Sequence, residues 1–155
     1  MDFLFPLALL FVFSVTCLLT LLLSANAYEK QTSQSERAFR RDTALSYLTE
    51  KIHQSDSNGC SGIRICEFDD LEALAISETY GEKPCTTYIY SLNGKLMELF
   101  LLDGTEASPE AGTAILDIDS IHMEQVSDHV FRFTCTDSVD GSESVYVTLR
   151  SEAFK

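Results

Sequence analysis

The chain changes its pattern of apolar and polar positions twice. From Phe3 to Ser24 no charged residue occurs, and nearly every position is Leu, Phe, Val, Ala, Thr or Cys. At about 1.5 Å per helical residue this run is long enough to cross a hydrocarbon core of about 30 Å. Past Ala27 the residues turn polar yet stay compatible with a helix. Ala38, Leu45, Leu48 and Ile52 recur at offsets of seven, three and four, which marks one apolar stripe. Arg41 falls inside that stripe, where its stem is expected to pack and its head to snorkel to water. Neither Gly nor Pro occurs between Pro6 and Gly59, so nothing in the composition breaks the helix before the polar stretch SDSNG at 55–59.

After Gly62 the period shortens to two. IRICEF (63–68) and LEALAIS (71–77) predict strands, with Ile63 and Ile65 on one face. TTYIYSLNGKLMELFLL (86–102) predicts a hairpin around Asn93 and Gly94, because Asn-Gly accepts the positive φ angles of a type I′ turn. AILDIDSIHMEQV (114–126) and HVFRFTCT (129–136) predict a second pair of strands turning at Ser127-Asp128. SVYVTLR (144–150) follows an Asp140-Gly141 turn. The expected organisation is a transmembrane anchor at 1–27, an amphipathic stalk helix at 28–56 and an antiparallel β head at 57–155. In fold class this is α+β, with Leu45, Leu48 and Ile52 packing the stalk onto a mostly antiparallel sheet.

Ala25-Asn26-Ala27 also has the small-x-small form cut by signal peptidase, which would release a secreted domain beginning at Tyr28. The apolar run is longer than a signal needs and no Lys or Arg precedes it, so an anchor is the better reading. Ser14-Val15-Thr16 before Cys17 does not form a lipobox.

Charge narrows the partners. The protein carries a net −13, with six Lys/Arg against nineteen Asp/Glu in residues 52–155. Such a head repels phosphate backbones, so no nucleic acid partner is expected. Candidate chemistry is sparse. His53, His122 and His129 are scattered, without metal-ligand spacing. No GxSxG elbow, Gly-rich phosphate loop or CxxC occurs, so neither an enzyme, a cofactor nor a small-molecule substrate is expected. Asp117 with Asp119, and Asp137 with Asp140 and Glu143, could offer oxygen ligands to calcium, but neither set has EF-hand spacing and solvated acid is the simpler account. Cys60, Cys66, Cys85 and Cys135 all lie in the head. In an oxidising compartment they allow three disulfide pairings, and in a reducing one they would be small core residues.

A membrane helix continuing into an amphipathic half that lies on an antiparallel sheet resembles type IV pilins and the minor pseudopilins of secretion and competence systems. RDTALSYLTEKIHQSD (41–56) and TYIYSLNGKLMELF (87–100) also resemble an uncharacterised family of small membrane-anchored proteins. MDFLFPLALL lacks the basic leader, the Gly at the cleavage point and the Glu at the fifth mature position that prepilin processing and filament alignment use. The resemblance implies a single-pass, non-enzymatic accessory component of a secretion, competence or pilus-type assembly. Its partners would be the lipid bilayer, through residues 3–24, and other pilin-like membrane proteins. It also implies an extracytoplasmic head, whereas Lys30, Arg37, Arg40 and Arg41 after the apolar run point the other way by the positive-inside rule. The alternative is an anchored extracytoplasmic binding module whose acidic head captures a cation or a basic partner.

Overall fold

A computed structural model describes residues 3–57, 62–137, 139 and 141–149. The chain divides into two compact units, Met1–Glu36 and Arg37–Lys155. One helix, α1 (Leu4–Ser57), runs through the first and into the second. In the first unit its side chains are exposed almost throughout, including Phe5, Leu10, Phe13, Leu18 and Leu23. With a mean hydropathy of 2.5 over its most apolar window, the helix is long and apolar enough to cross a membrane.

The second unit is an α+β domain. β1 (Gly62–Phe68), β2 (Leu71–Tyr80), β3 (Lys83–Leu92), β4 (Lys95–Leu102) and β5 (Thr113–Asp117) form a five-stranded antiparallel meander in chain order. β6 (Ser120–Ser127), β7 (Val130–Asp137) and β8 (Gly141–Thr148) form a second antiparallel sheet. Two tight turns make the first and third connections of the meander. Asp69 and Asp70 both adopt positive φ between β1 and β2, and Asn93 (φ 51°) and Gly94 (φ 75°) do so between β3 and β4. These are the left-handed conformations that two-residue hairpins require and that Asp, Asn and Gly tolerate.

The apolar stripe of the stalk packs as its spacing predicts. Leu45, Leu48 and Ile52 are buried, together with Ala44, against Ile63, Leu74, Ile76, Ile89 and Leu96 of the larger sheet and Met123, Phe131, Phe133 and Val147 of the smaller. Each fully buried aliphatic or aromatic side chain contributes about 1.5–3 kcal/mol. The single sheet expected from the sequence is in fact two, closing on one core with the helix.

The second predicted pair of strands is corrected here. AILDIDSIHMEQV is not one strand, because the chain leaves the larger sheet after Asp117 and enters the smaller at Ser120. Ile118 is buried and its N–H donates to the carbonyl of Gly94 at 3.0 Å, which pins the crossing to the β3–β4 turn. Asp117 and Asp119 therefore do not share the face of one strand.

Candidate functional site

The crossing between the sheets helps to form a cleft of about 470 Å³ on the second unit. Arg37, Arg40 and Arg41 line it from α1, at positions i, i+3 and i+4, which fall on one helical face. Asp117, Ile118 and Asp119 line it from the β5–β6 connection, and Cys135 and Asp137 from the end of β7. The two sources carry opposite charge.

Of the three arginines, Arg37 and Arg41 are half-buried and Arg40 is exposed. The Arg41 side chain is only 14% exposed, and its Nε sits 3.8 Å from Oε2 of Glu143 on β8. That is an ion pair without a hydrogen bond. Nε and Nη1 are both buried and have no hydrogen-bond partner among the described residues, an arrangement that costs about 1–3 kcal/mol for each donor left unsatisfied. The expectation that Arg41 snorkels to water is thus overturned, because Nε and Nη1 of its head are buried. Asp137 is partly committed, its Oδ1 accepting the N–H of Val139 at 2.8 Å.

Cys135, buried beside the cleft, has its thiol pushed up chiefly by burial and further by Asp119, Asp137 and Glu143, while Arg41 pulls it down. Held as a neutral thiol, it is a core side chain rather than a nucleophile. Among the described head residues, Cys66, Cys85 and Cys135 carry free thiols. Cys66 is opposite Ala73 on β2 and Cys85 is opposite Glu78 on the same strand. Five strand residues separate those rows by about 17 Å, far beyond disulfide reach. Cys135 lies in the other sheet. Cys60 and Asp140 lie outside the described residues.

Other sequence-selected residues are structural. Asn93 and Gly94 form the β3–β4 turn. His122 on β6 meets Oε2 of Glu72 at 2.9 Å through Nδ1, and Oε1 of Glu72 accepts the N–H of Met123 at 3.0 Å. Glu72 therefore ties β2 to the edge of β6. Among the described residues no group of three His, Cys, Asp or Glu side chains is placed to hold a metal ion.

A further polar cluster joins the stalk to the larger sheet. Glu98 points from β4 toward the stalk, where Tyr47 donates its hydroxyl to Oε2 and Lys51 donates Nζ–H to Oε1 at 2.5 Å. Tyr47 and Lys51 are one helical turn apart. Burial first, then the carboxylate of Glu98, pushes the Tyr47 phenol far above its ordinary value. The signal was available: Glu98 is the lone carboxylate inside the apolar run LMELFLL, at an inward-facing position.

No curated protein and no solved structure matches the chain. Residues 39–138, which include most of the cleft, the Tyr47–Lys51–Glu98 cluster and the Asn93-Gly94 turn, match the family model described as Domain of unknown function (DUF4860). That match covers well over half of the sequence, and the chain belongs to the DUF4860 family.

Proposed function

We propose that the protein is a single-pass, membrane-anchored, pilin-like accessory component of a secretion, competence or type IV pilus-type assembly, without enzymatic activity of its own. The observation that carries this reading is α1 itself. One helix supplies both an exposed apolar stretch of membrane-spanning length and, from Ala44 to Ile52, the apolar cover of an antiparallel sheet. A helix with that division of labour presents its apolar half to lipid and to other transmembrane helices. The anchor contains no glycine and therefore no GxxxG pair, and packing against different pilin-like proteins is the expected mode of contact.

The test is crosslinking in the native membrane from Phe11→Cys or Leu18→Cys, both at exposed helical positions. The expected product is an adduct with a heterologous small membrane protein. A regular ladder of self-multimers would overturn the accessory role. This reading puts the head outside the cytoplasm, so Tyr80→Cys, at a position 82% exposed, should react with an impermeant maleimide on intact cells. Reaction only after lysis puts the head inside.

The alternative is a membrane-anchored extracytoplasmic binding module with an acidic head. The cleft lined by arginines and aspartates favours it specifically. A monomer that yields no crosslinks from either anchor position selects this reading.

A further inference from the structure

We propose that the free edge of β8 is a self-association surface. On it the β8 of a second copy pairs antiparallel about a two-fold axis at Val145, joining the two smaller sheets into one. The inference is independent of the pilin-like role and goes beyond it, since this pairing of heads uses no contact of the anchor.

The direction in which the edge points follows from one bond. Leu149 donates its N–H to the carbonyl of His129 at 2.7 Å. In the alternation of an antiparallel ladder, the pairs that bond across to β7 are then Val147 with Phe131, Val145 with Phe133 and Glu143 with Cys135. Ser142, Ser144, Tyr146 and Thr148 therefore direct their N–H and C=O groups away from β7. β8 ends its sheet and all four residues are exposed, so among the described residues these groups form an unpaired row, a template for a further strand. The stalk leaves room beside them, since a hollow of about 590 Å³ is lined by Leu45, Ser46 and Thr49 of α1 and by Glu143, Ser144 and Val145 of β8.

The other described edges carry features that discourage such pairing. β5 is five residues long, and its register with β4 shifts between Leu96 and Met97. β6 has a register shift against β7 between Gln125 and Ser127, and its Met123 N–H is taken by Oε1 of Glu72 at 3.0 Å. β1 carries both Arg64 and Glu67. β8 is eight residues long, keeps an unbroken register with β7, has no Lys, Arg or Pro, and bears one charge, Glu143. Short strands, bulges and edge charges are the means by which sheets avoid adding strands, and β8 has the fewest of them.

The residues of β8 select a second copy as the occupant. A pair centred on Val145 sets Ser144 against the partner's Tyr146 and Ser142 against the partner's Thr148. Every outward residue then falls in a hydrogen-bonded pair, giving up to about eight main-chain bonds. Val145, half-buried against the core, meets the partner's Val145 at the axis and loses its remaining exposure. The charge of the strand also fits. Glu143 lies opposite the partner's Val147 and about 14 Å from the partner's Glu143, beyond the screening length of about 8 Å at physiological salt. It also has Arg41 of its own chain at 3.8 Å. Such an interface is isologous and closes at two copies, so it builds no ladder. The net charge of −13 opposes it, and salt relieves that repulsion.

The full-length protein in a maltoside detergent is measured by light scattering, with the detergent mass subtracted, over a range of protein and salt concentrations. A monomer–dimer equilibrium that tightens with salt is expected. Ser144→Pro removes an outward N–H and no main-chain bond to β7, and Val145→Lys sets like charges against each other across the axis. Each should weaken dimerisation at least tenfold, and Ser144→Pro should keep the melting temperature of the dilute monomer. Val145→Cys should give an oxidised dimer above the background of the native protein, because facing residues of a non-hydrogen-bonded pair stand about 4.5 Å apart at Cα. Ser142→Cys, about 20 Å from its own copy, should not. A monomer at every concentration, a dimer that loosens with salt, or equal crosslinking from Val145→Cys and Ser142→Cys overturns the proposal. A dimer unchanged in both Ser144→Pro and Val145→Lys overturns it in favour of the anchor. Capture of a different polypeptide by Val145→Cys in the native membrane, with no self-dimer, gives the edge to a heterologous strand and overturns the second copy.

Discussion

The five-stranded sheet buries both of its faces, by different means. Its inner face carries Ile63, Leu74, Ile76, Ile89 and Leu96 and is covered by regular structure, namely the stalk half of α1 and the smaller sheet. Its outer face carries Ala73, Tyr90, Met97 and Leu99, flanked by Cys66, Phe68, Tyr88, Leu101 and Ala107. Among the described residues no α-helix covers it there. The connection from β4 to β5 folds over it through a short 3-10 turn at Pro109–Ala111, where the Tyr90 hydroxyl donates to the Pro109 carbonyl at 2.5 Å. Phe68 stacks on Tyr88 with ring centroids 4.6 Å apart. The inner face thus relies on aliphatic area and the outer face on aromatic rings over small residues. β2 shows the contrast within one strand: Ala73 and Ala75 face outward, Leu74 and Ile76 inward, and all four are buried. Because both faces are buried, β2 reads as a continuous apolar run rather than an alternation.

The strongest way to break the inner face is Leu48→Asp, which buries a charge at a position with no exposure. The full-length protein in detergent should lose its cooperative melting transition. Leu48→Ala should cost about 2–5 kcal/mol in denaturant unfolding. If Leu48→Asp keeps the native melting temperature, the stalk does not seal the core.

The distinction between faces also depends on register, since a slip of one residue would exchange them. Leu96 and Glu98 would then turn outward and Met97 and Leu99 inward. Gly94→Val forces a β-branched residue to φ 75° and brings its Cβ within 3.6 Å of the Ile118 carbonyl. The strain should cost about 1–3 kcal/mol. Asn93→Asp keeps a residue tolerant of positive φ and should shift the midpoint little. Equal tolerance of the two changes, measured as unfolding midpoints, would place the register determinant elsewhere.

The outer face yields to a smaller lesion. A Cβ on Gly112 would collide with the Tyr90 hydroxyl and lie 3.3 Å from its ring, so Gly112→Ala should lift the cover at a cost of about 1–2 kcal/mol. Tyr90→Phe alone loses the bond to Pro109, about 1 kcal/mol. Since it also removes the colliding oxygen, the double variant should be more stable than the sum of the single losses implies. Strict additivity would show that the loop does not rest on Tyr90.

How far these features could be read in advance follows the same division. The stripe of Leu45, Leu48 and Ile52 and the Asn93-Gly94 turn are local patterns, legible because helical spacing and turn chemistry fix them within a few residues. Asp69-Asp70 carried an equivalent turn signal. The break at Ile118 was hidden because AILDIDSIHM keeps a strand-like composition across it, and only the bond to Gly94, distant in sequence, decides the crossing. The cleft was hidden for the same reason. Arg40 and Arg41 read as part of a solvated stalk and Asp117 and Asp119 as solvated acid, until the fold brings both sets to one cavity. The outer cover was the least legible part, since TEASPEAG has no apolar period to announce that it packs on anything.

The finest test concerns the polar staple on the inner face. Glu98 accepts from Tyr47 and Lys51 at the edge of the aliphatic core, so this face is fastened by a carboxylate where the outer one is fastened by a main-chain carbonyl. Tyr47→Phe should cost about 1 kcal/mol at neutral pH, with Lys51 still holding Glu98. Its alkaline behaviour is more diagnostic. The phenol of Tyr47 is raised in the folded protein by burial and by Glu98, so the folded state binds its proton more tightly than the unfolded state does. The stability gained is fully present below the ordinary tyrosine value of about 10 and is lost as pH climbs from there toward the raised folded value. Unfolding midpoints of the native protein should therefore fall between pH 10 and pH 11.5, and those of Tyr47→Phe should fall less. Parallel pH profiles for the two proteins would mean that the hydroxyl of Tyr47 is not held by Glu98, leaving the lysine alone to fasten the helix.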